Sequence, residues 1–171
     1  MTNANQCLWL LGLSGAGKTS IANALIADFQ VNNKKSILLD GDVLRTGLNN
    51  NLGFSEDDRT ENVRRTAEVA KLFLAEGYWV IVALITPLES MRASNRAILG
   101  KTYVEIFIDT TLEICQARDP KGLYAKAARG EITHFTGIDS PFEIPQNADL
   151  VVNTKDRSIE ECVAVISLKI P

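Results

Sequence analysis

Residues 12–20 read GLSGAGKTS, in which three glycines precede a lysine and a hydroxyl side chain. This spacing fits the G-x-x-x-x-G-K-[ST] phosphate loop at every fixed position. In such a loop the glycines let backbone N–H groups approach phosphate oxygens, the lysine adds a positive charge, and the hydroxyl can bind Mg²⁺. The sequence therefore predicts a nucleoside triphosphate site. The residues predicted to contact the triphosphate are Gly12, Leu13, Ser14, Gly15, Ala16, Gly17, Lys18, Thr19 and Ser20.

Two carboxylates follow the next apolar run, which ends in Leu39-Asp40-Gly41-Asp42. The carboxyl ends of parallel strands are where α/β proteins bind ligands, so Asp40 and Asp42 are expected beside the phosphate loop. One carboxylate can hold a magnesium-bound water. The other can orient an acceptor hydroxyl and accept its proton during phosphoryl transfer, a role for which Asp42 is the stronger candidate.

A third group of polar side chains follows in Arg45, Arg59 and Asn62, with the aromatic Phe54 between them. Arg59 and Asn62 are three residues apart and share one face of a predicted helix. Arginines bind anionic groups through two parallel hydrogen bonds, and an aromatic ring can stack on a base. The set predicts an anionic acceptor.

Other classes of phosphate-loop protein fit less well. A GTP switch carries an N-K-x-D guanine reader, whereas residues 153–156 read NTKD. Residues 119–122 read DPKG and match D-x-x-G, but they follow a predicted helix rather than a strand. An ATP-driven machine would need a longer chain and a basic surface. A small kinase therefore remains as the interpretation.

The elements that would position these residues alternate along the chain. Five short apolar runs predict buried strands at Cys7–Leu11, Ile37–Leu39, Trp79–Ile85, Tyr103–Ile108 and Leu150–Val152. Helical spacing recurs at residues 21–29, 56–76 and 159–170, with Ser55 as a predicted N-cap. This alternation predicts a three-layer α/β fold around a parallel sheet, in one domain over residues 1–171. The Gly-, Pro- and Lys-rich residues 119–145 predict a mobile lid.

The composition excludes several classes of function. The 171 residues are 46% hydrophobic and 23% charged, which is typical of a globular domain. A net charge of −3 predicts no nucleic-acid partner. The sequence has no run of 18 apolar residues and no secretion signal, so we expect no membrane association and a cytoplasmic location. Cys7, Cys115 and Cys162 are far apart and are expected to be buried thiols.

Together, the stretches GLSGAGKTS, LDGDVLRTGLN, LGFSEDDRTENVRR, RDPKGLYAKA and FTGIDSPFEIP resemble the adenylylsulfate kinase family over essentially the whole chain. The resemblance implies a phosphate-loop kinase with five core parallel strands. It implies transfer of the γ-phosphoryl group of ATP, with Mg²⁺, to the 3′-hydroxyl of adenosine 5′-phosphosulfate (APS), giving 3′-phosphoadenosine 5′-phosphosulfate (PAPS) in sulfate assimilation. It further implies a homodimer and a possible association with ATP sulfurylase.

The resemblance also carries residue roles, position by position. Asp40 and Asp42 match the catalytic aspartates, and Arg118 matches a residue near the ATP adenine. The residues that match the APS site and the lid are Arg45, Phe54, Arg59, Asn62, Ile85, Thr86, Lys121 and Phe135. His134, also in the lid, is expected to be incidental.

The chain departs from the family pattern in residues 83–89, ALITPLE, where relatives read Phe-Ile-Ser-Pro followed by an aromatic residue and an arginine. Thr86 replaces the serine described as a phosphorylated intermediate in the family; we expect its hydroxyl to keep a hydrogen bond to substrate. Glu89 would weaken binding of an anionic acceptor if this loop touched it. Two alternatives stay open: a different nucleotide acceptor, and a nucleotide-binding partner of ATP sulfurylase without turnover.

Overall fold

Five parallel strands form one sheet in a computed structural model that describes residues 5–170. Residues 1–4 and 171 lie outside the described residues. The strands run in the order β2-β3-β1-β4-β5. Their bounds are β1 Cys7–Leu11, β2 Ser36–Asp40, β3 Trp79–Ala83, β4 Tyr103–Asp109 and β5 Leu150–Asn153. All five predicted strands are confirmed, although β3 ends two residues earlier than predicted. Beyond Ala83 the Leu84 N–H still donates to the Leu10 carbonyl oxygen, 3.1 Å away.

Helices cover both faces of the sheet, as the three-layer prediction requires. The helices are α1 Lys18–Val31, α2 Gly41–Thr46, α3 Glu56–Ala75, α4 Glu89–Leu99, α5 Leu112–Arg118, α6 Leu123–Ala128 and α7 Ile159–Ser167, with a 3₁₀ turn at Gly100–Thr102. Helices α1 and α7 pack together on one face, and α3 and α4 pack on the other. The three helices predicted from helical spacing are confirmed as α1, α3 and α7, and the helix expected before residue 119 is α5. The helices α2, α4 and α6 were not predicted.

Alternation along the central strand β1 divides the core into two layers. Leu8 and Leu10 pack on the side of α1 and α7. Cys7, Trp9 and Leu11 pack on the side of α3 and α4. All five residues are fully buried, because a central parallel strand is covered on both faces. The phosphate loop therefore begins at the end of a fully buried central strand, which holds its first residue in place.

Two local predictions are confirmed at helix ends. The hydroxyl of Ser55 accepts a hydrogen bond from the backbone N–H of Asp58, 3.2 Å away, and so caps α3. Residues 119–122 follow α5, and the carboxylate of Asp119 accepts hydrogen bonds from the N–H groups of Tyr124 and Ala125 in α6. The D-x-x-G match is therefore a link between two helices rather than a GTP-switch element.

Two further predictions concern the cysteines and membrane-spanning segments. All three cysteines are buried and free. No helix within residues 5–170 is both long enough and apolar enough to cross a bilayer.

Candidate active site

The phosphate loop joins the carboxyl end of β1 to the N-terminus of α1. Gly15 and Gly17 adopt φ angles of 76° and 104°, which L side chains rarely adopt. At Gly12 a Cβ atom would lie only 2.6 Å from the carbonyl oxygen of Ile108 in β4. The glycines are thus required by backbone geometry. Their arrangement leaves a cradle of N–H groups at a helix N-terminus.

Lys18 lies inside this loop and is almost fully buried. Its Nζ donates hydrogen bonds to the carbonyl oxygens of Gly12 at 2.9 Å and Leu13 at 2.7 Å. Burial lowers the pKa of Lys18 from its ordinary value to about 8, against the favourable fields of neighbouring acidic groups. The ammonium is therefore held at the place where phosphate oxygens are expected.

The two aspartates after β2 have different surroundings. The Oδ2 atom of Asp40 accepts a hydrogen bond from the Thr19 hydroxyl at 2.7 Å, and its Oδ1 accepts one from the Asp42 N–H at 2.9 Å. Asp40 is buried, whereas the side chain of Asp42 is 67% exposed. Asp40 therefore lies on the phosphate-loop side, and Asp42 presents an exposed carboxylate to the cavity.

The segment of residues 119–145 contacts Asp42 and the phosphate loop. The Lys121 ammonium forms an ion pair with the Asp42 carboxylate. The Tyr124 hydroxyl donates to the carbonyl oxygen of Ser14 at 2.9 Å. Phe135 packs edge-to-face on Tyr124, with ring centroids 4.9 Å apart. The segment is thus anchored to the phosphate loop by its aromatic side chains.

Two arginines flank the ring of Phe54, which is 55% exposed. The Arg45 Cζ lies 4.4 Å from the ring centroid and the Arg59 Cζ lies 5.6 Å from it. Arg45 also donates to the carbonyl oxygens of Leu52 and Gly53, which fixes its guanidinium. Partial burial lowers the pKa of both arginines, and each stays a cation at neutral pH. The arrangement combines positive charge with an aromatic face.

Arg59 also reaches the lid segment. Its Nη2 donates to the backbone carbonyl oxygen of His134 at 2.6 Å. His134 has a φ angle of 57°, so its carbonyl is presented by an unusual backbone conformation. The residue expected to be incidental thus contributes a backbone contact, which side-chain reasoning had no means to detect.

Asn62 is almost completely buried in α3. Its Oδ1 accepts a hydrogen bond from the Nδ2 of the fully buried Asn49 at 2.9 Å. The pair connects α3 to the turn after α2. Asn49 was not singled out from the sequence.

The loop after β3 differs from expectation in two respects. The Oγ1 of Thr86 accepts a hydrogen bond from the Trp9 Nε1 at 2.8 Å, and Thr86 is only 1% exposed. Its hydroxyl is therefore turned to the core rather than held open for substrate. Glu89 begins α4 and pairs with Arg92 at 2.9 Å and Arg96 at 2.7 Å. Because Glu89 does not line the cavity, the condition for weakened acceptor binding is not met.

The opposite side of the phosphate loop is built by the ends of β4 and β5. Arg118 donates from Nη1 to the Thr154 hydroxyl and from Nη2 to the Thr154 carbonyl, both at 3.2 Å. The Thr110 hydroxyl contacts both the Ala16 carbonyl and Thr154. Thr110 and Thr154 were not predicted, although each follows directly on a strand end, where sequence reasoning looks for ligands.

A single cavity of about 1130 Å³ connects these parts. It brings together eighteen of the predicted site residues, namely Ser14, Gly15, Ala16, Gly17, Lys18, Thr19, Ser20, Asp40, Asp42, Arg45, Phe54, Arg59, Asn62, Ile85, Thr86, Arg118, Lys121 and Phe135. Gly12 and Leu13 do not line it; they hold Lys18 through their carbonyls. Unpredicted lining residues include Leu84, Pro87, Thr154 and Arg157.

The sheet order divides the cavity into two halves. The phosphate loop follows the central strand β1. The end of β2 and the residues after it carry the two aspartates, and the loop after β3 carries Thr86, on one side. The end of α5 carries Arg118, and the loop after β5 carries Thr154, on the other side. The geometry therefore accommodates two ligands that meet at the phosphate loop.

Comparisons with known proteins agree with this geometry. The family model described as "Adenylylsulphate kinase" matches residues 4–153. An adenylyl-sulfate kinase from Paraburkholderia xenovorans is 53% identical over 156 residues, covering 91% of this chain and 87% of the relative. The structure of the Mycobacterium tuberculosis APS kinase CysC, in complex with AMPPNP and APS, has a TM-score of 0.92 and 48% sequence identity, covering 96% of this chain and 97% of that chain. By its sequence and its fold, the chain belongs to the adenylylsulphate kinase family.

Proposed function

We propose that this chain transfers the γ-phosphoryl group of ATP to the 3′-hydroxyl of APS, giving PAPS and ADP. The observation that carries the proposal is the two-sided cavity, in which the phosphate loop lies between a nucleotide half and an acceptor half with its own exposed carboxylate, that of Asp42. Family membership supplies the identity of the acceptor.

Phosphoryl transfer is achieved by positioning and charge. The loop N–H groups and Lys18 hold the triphosphate and balance the charge that spreads over its oxygens. Asp42 orients the acceptor hydroxyl and accepts its proton, exchanging its ion pair with Lys121 for that hydrogen bond. An ordered acceptor in place of water favours transfer over hydrolysis, and the lid segment over the cavity excludes water.

Magnesium fits the oxygen atoms at the loop end. The Thr19 hydroxyl and the Asp40 carboxylate, 2.7 Å apart, are hard oxygen donors of the kind that Mg²⁺ prefers. Thr19 would be a direct ligand, and Asp40 would hold a bound water. When bound, Mg²⁺ neutralises charge on the β- and γ-phosphates. Within residues 5–170 no group of three or more His, Cys, Asp or Glu side chains forms a metal site, so phosphate oxygens would complete the ligand set.

The acceptor half suits an adenosine carrying a phosphosulfate. Arg45 and Arg59 offer positive charge to its anionic groups, and the exposed Phe54 offers a ring to its adenine. On the other half, Arg118 and Thr154 would lie near the ATP base.

The proposal is tested by measuring ADP release with Mg·ATP in the presence and absence of APS, with the nucleotide product identified by mass. APS-dependent ADP release, with a product one phosphoryl group heavier than APS, supports it. Activity with another nucleotide but none with APS would favour a different acceptor. ATP binding with no product from any acceptor would favour a role without turnover.

Substituting Arg59 with alanine is expected to raise the KM for APS by about tenfold or more, because a charged hydrogen-bond donor is lost from the acceptor half. The KM for ATP should change by less than about twofold. Arg64→Ala is the matched control, since Arg64 lies on the same helix and pairs with Glu61 outside the cavity. A rise confined to the KM for ATP would contradict this and would place Arg59 in the nucleotide half of the cavity.

No phosphoenzyme is expected at Thr86. Its buried hydroxyl accepts the Trp9 hydrogen bond, and direct transfer between two nucleotides in one cavity needs no intermediate. Incubation with Mg·ATP should therefore leave the intact mass of the chain unchanged, and Thr86→Ser should remain active. A stoichiometric gain of one phosphoryl group, lost on addition of APS, would contradict this.

The assembly and location are proposed as well. We place the protein in the cytoplasm as a homodimer able to associate with ATP sulfurylase. A relative described as a hexameric APS kinase from Thiobacillus denitrificans, with a TM-score of 0.73 and 30% identity, supports self-association; the match covers 98% of this chain and 29% of that chain. Light scattering of the purified chain tests the dimer.

A further inference from the structure

Thr86 is held in a backbone conformation that its side chain disfavours. Its φ angle is 46°, in the left-handed region, where a β-branched residue is an outlier. The residue is buried at the wall of the acceptor half, between Ile85 and Pro87, which also line the cavity. Such a conformation persists only where surrounding contacts hold it.

Two buried donors from different elements hold Thr86. The Trp9 Nε1, in the central strand, donates to its hydroxyl at 2.8 Å. The Arg92 Nη1, in α4, donates to its carbonyl oxygen at 3.2 Å. Both donor side chains are at most 1% exposed. One hydrogen bond therefore holds the side chain of Thr86, and the other holds its backbone.

The neighbouring carbonyls in the loop are held as well. The Ile85 carbonyl accepts from the Gly12 N–H at 3.3 Å, at the start of the phosphate loop. The Pro87 carbonyl accepts from the Glu143 N–H at 2.8 Å, at the end of the lid segment. The loop after β3 is thus hydrogen-bonded to both the phosphate loop and the lid segment.

The charge of Arg92 is balanced without any help from a ligand. Its Nε contacts Glu89 at 2.9 Å and the buried Glu105 at 3.8 Å, and Arg96 pairs with the same two carboxylates. Two arginines and two glutamates thereby form a closed network. Arg92 differs from Arg96 in its burial, with 1% of its side chain exposed against 38%, and in its bond to the Thr86 carbonyl.

We propose that Trp9 and Arg92 are positioning residues for the acceptor half: together they hold Thr86 in its left-handed conformation and so fix the wall of the cavity that meets the acceptor. Neither side chain lines the cavity itself. Their effect falls on the acceptor rather than on ATP, because Thr86 lies on the β2–β3 side of the phosphate loop. The proposal rests on the proposed function for the identity of that acceptor.

The test uses Trp9→Phe and Arg92→Lys, each of which keeps the bulk or the charge and removes the hydrogen bond in question. Each is expected to raise the KM for APS by about three- to tenfold, the effect of one buried hydrogen bond. The KM for ATP should stay within about twofold. The matched controls are Trp79→Phe, on the opposite face of the sheet, and Arg96→Lys, in the same ion network; both should leave the KM for APS unchanged.

A double substitution separates positioning from general packing. Glycine adopts the left-handed conformation without cost and has no hydroxyl to hold. In a Thr86→Gly background, Trp9→Phe should therefore change the KM for APS by less than about twofold. An equal effect of Trp9→Phe in both backgrounds would show that Trp9 acts through packing, and would overturn its assigned role.

Hydrogen exchange gives a readout that needs no acceptor. Trp9→Phe and Arg92→Lys should speed amide exchange in residues 84–89 by about tenfold, with little change in residues 13–19. Unchanged exchange there, or equal rises in the KM values for ATP and APS, would overturn the proposal. A wild-type chain inactive with APS would instead contradict the proposed function, while exchange in residues 84–89 would still decide whether Trp9 and Arg92 hold the loop.

Discussion

Replacing Asp42 with asparagine is expected to lower kcat by about 10²-fold or more, the scale of a lost general base. The amide keeps the size of the side chain and can still orient a hydroxyl, but it cannot accept the proton. The affinity for ATP should change by less than about twofold. The other aspartate, Asp40, keeps its hydrogen bond from the Thr19 hydroxyl at the phosphate loop. Steady-state kinetics with both substrates, together with nucleotide binding by calorimetry, measure the two effects separately.

Two companion variants make the result specific. Asp57→Asn removes an exposed carboxylate from α3, outside the cavity, and should leave kcat unchanged. Asp40→Asn should raise the magnesium concentration needed for half-maximal rate, since its carboxylate is bonded to Thr19 rather than open to the acceptor. A fully active Asp42→Asn variant would remove the general-base role from Asp42.

Replacing Lys18 with methionine is expected to lower kcat/KM for ATP by about 10²- to 10³-fold, because a preorganised charge is lost where negative charge develops. Lys71→Met, on the exposed surface of α3, is the matched control and should have no effect. Retention of the wild-type kcat/KM by Lys18→Met would show that the loop N–H groups suffice.

Lys18 also predicts a pH dependence with a definite sign. Its pKa of about 8 in the free protein means that the ammonium loses its proton as the pH rises through that value. Phosphate oxygens favour the charged form, so ATP binding takes up a proton above pH 8. The Kd for Mg·ATP should therefore rise by up to about fivefold between pH 8 and pH 9, and stay flat below pH 7. Calorimetry in two buffers of different ionisation enthalpy measures the proton uptake; the Lys18→Met variant should show none.

The parts of the site that follow local rules were predictable from the sequence. The phosphate loop is contiguous, and its glycines are required by backbone angles that any such loop shares. Asp40 ends β2 and Asp42 follows it by two residues, so the parallel sheet brings both to the loop. The inner strands β3, β1 and β4 were readable because they are buried on both faces and are therefore almost continuously apolar. The edge strands β2 and β5 are only partly buried but are also short apolar runs.

The parts that depend on distant contacts were not predictable. Trp9 and Thr86 are 77 residues apart, and no periodicity indicates their hydrogen bond. Glu89 was expected to disturb the acceptor because its charge alone is visible in the sequence. The helix that it begins turns it toward Arg92 and Arg96, and this helix, α4, was itself not predicted. The same limit applies to the His134 carbonyl, a backbone group that no residue type reveals.

The most direct test of the central claim is the position of the transferred group. The chain, Mg·ATP and APS are mixed, and the products are followed by ³¹P NMR and mass spectrometry. The predicted result is one new phosphate monoester, coupled to the ribose 3′ proton and formed in equal amount to ADP, with no such product from a 3′-deoxy analogue of APS. ADP formation without a new ester, or an ester at another position, would contradict the account.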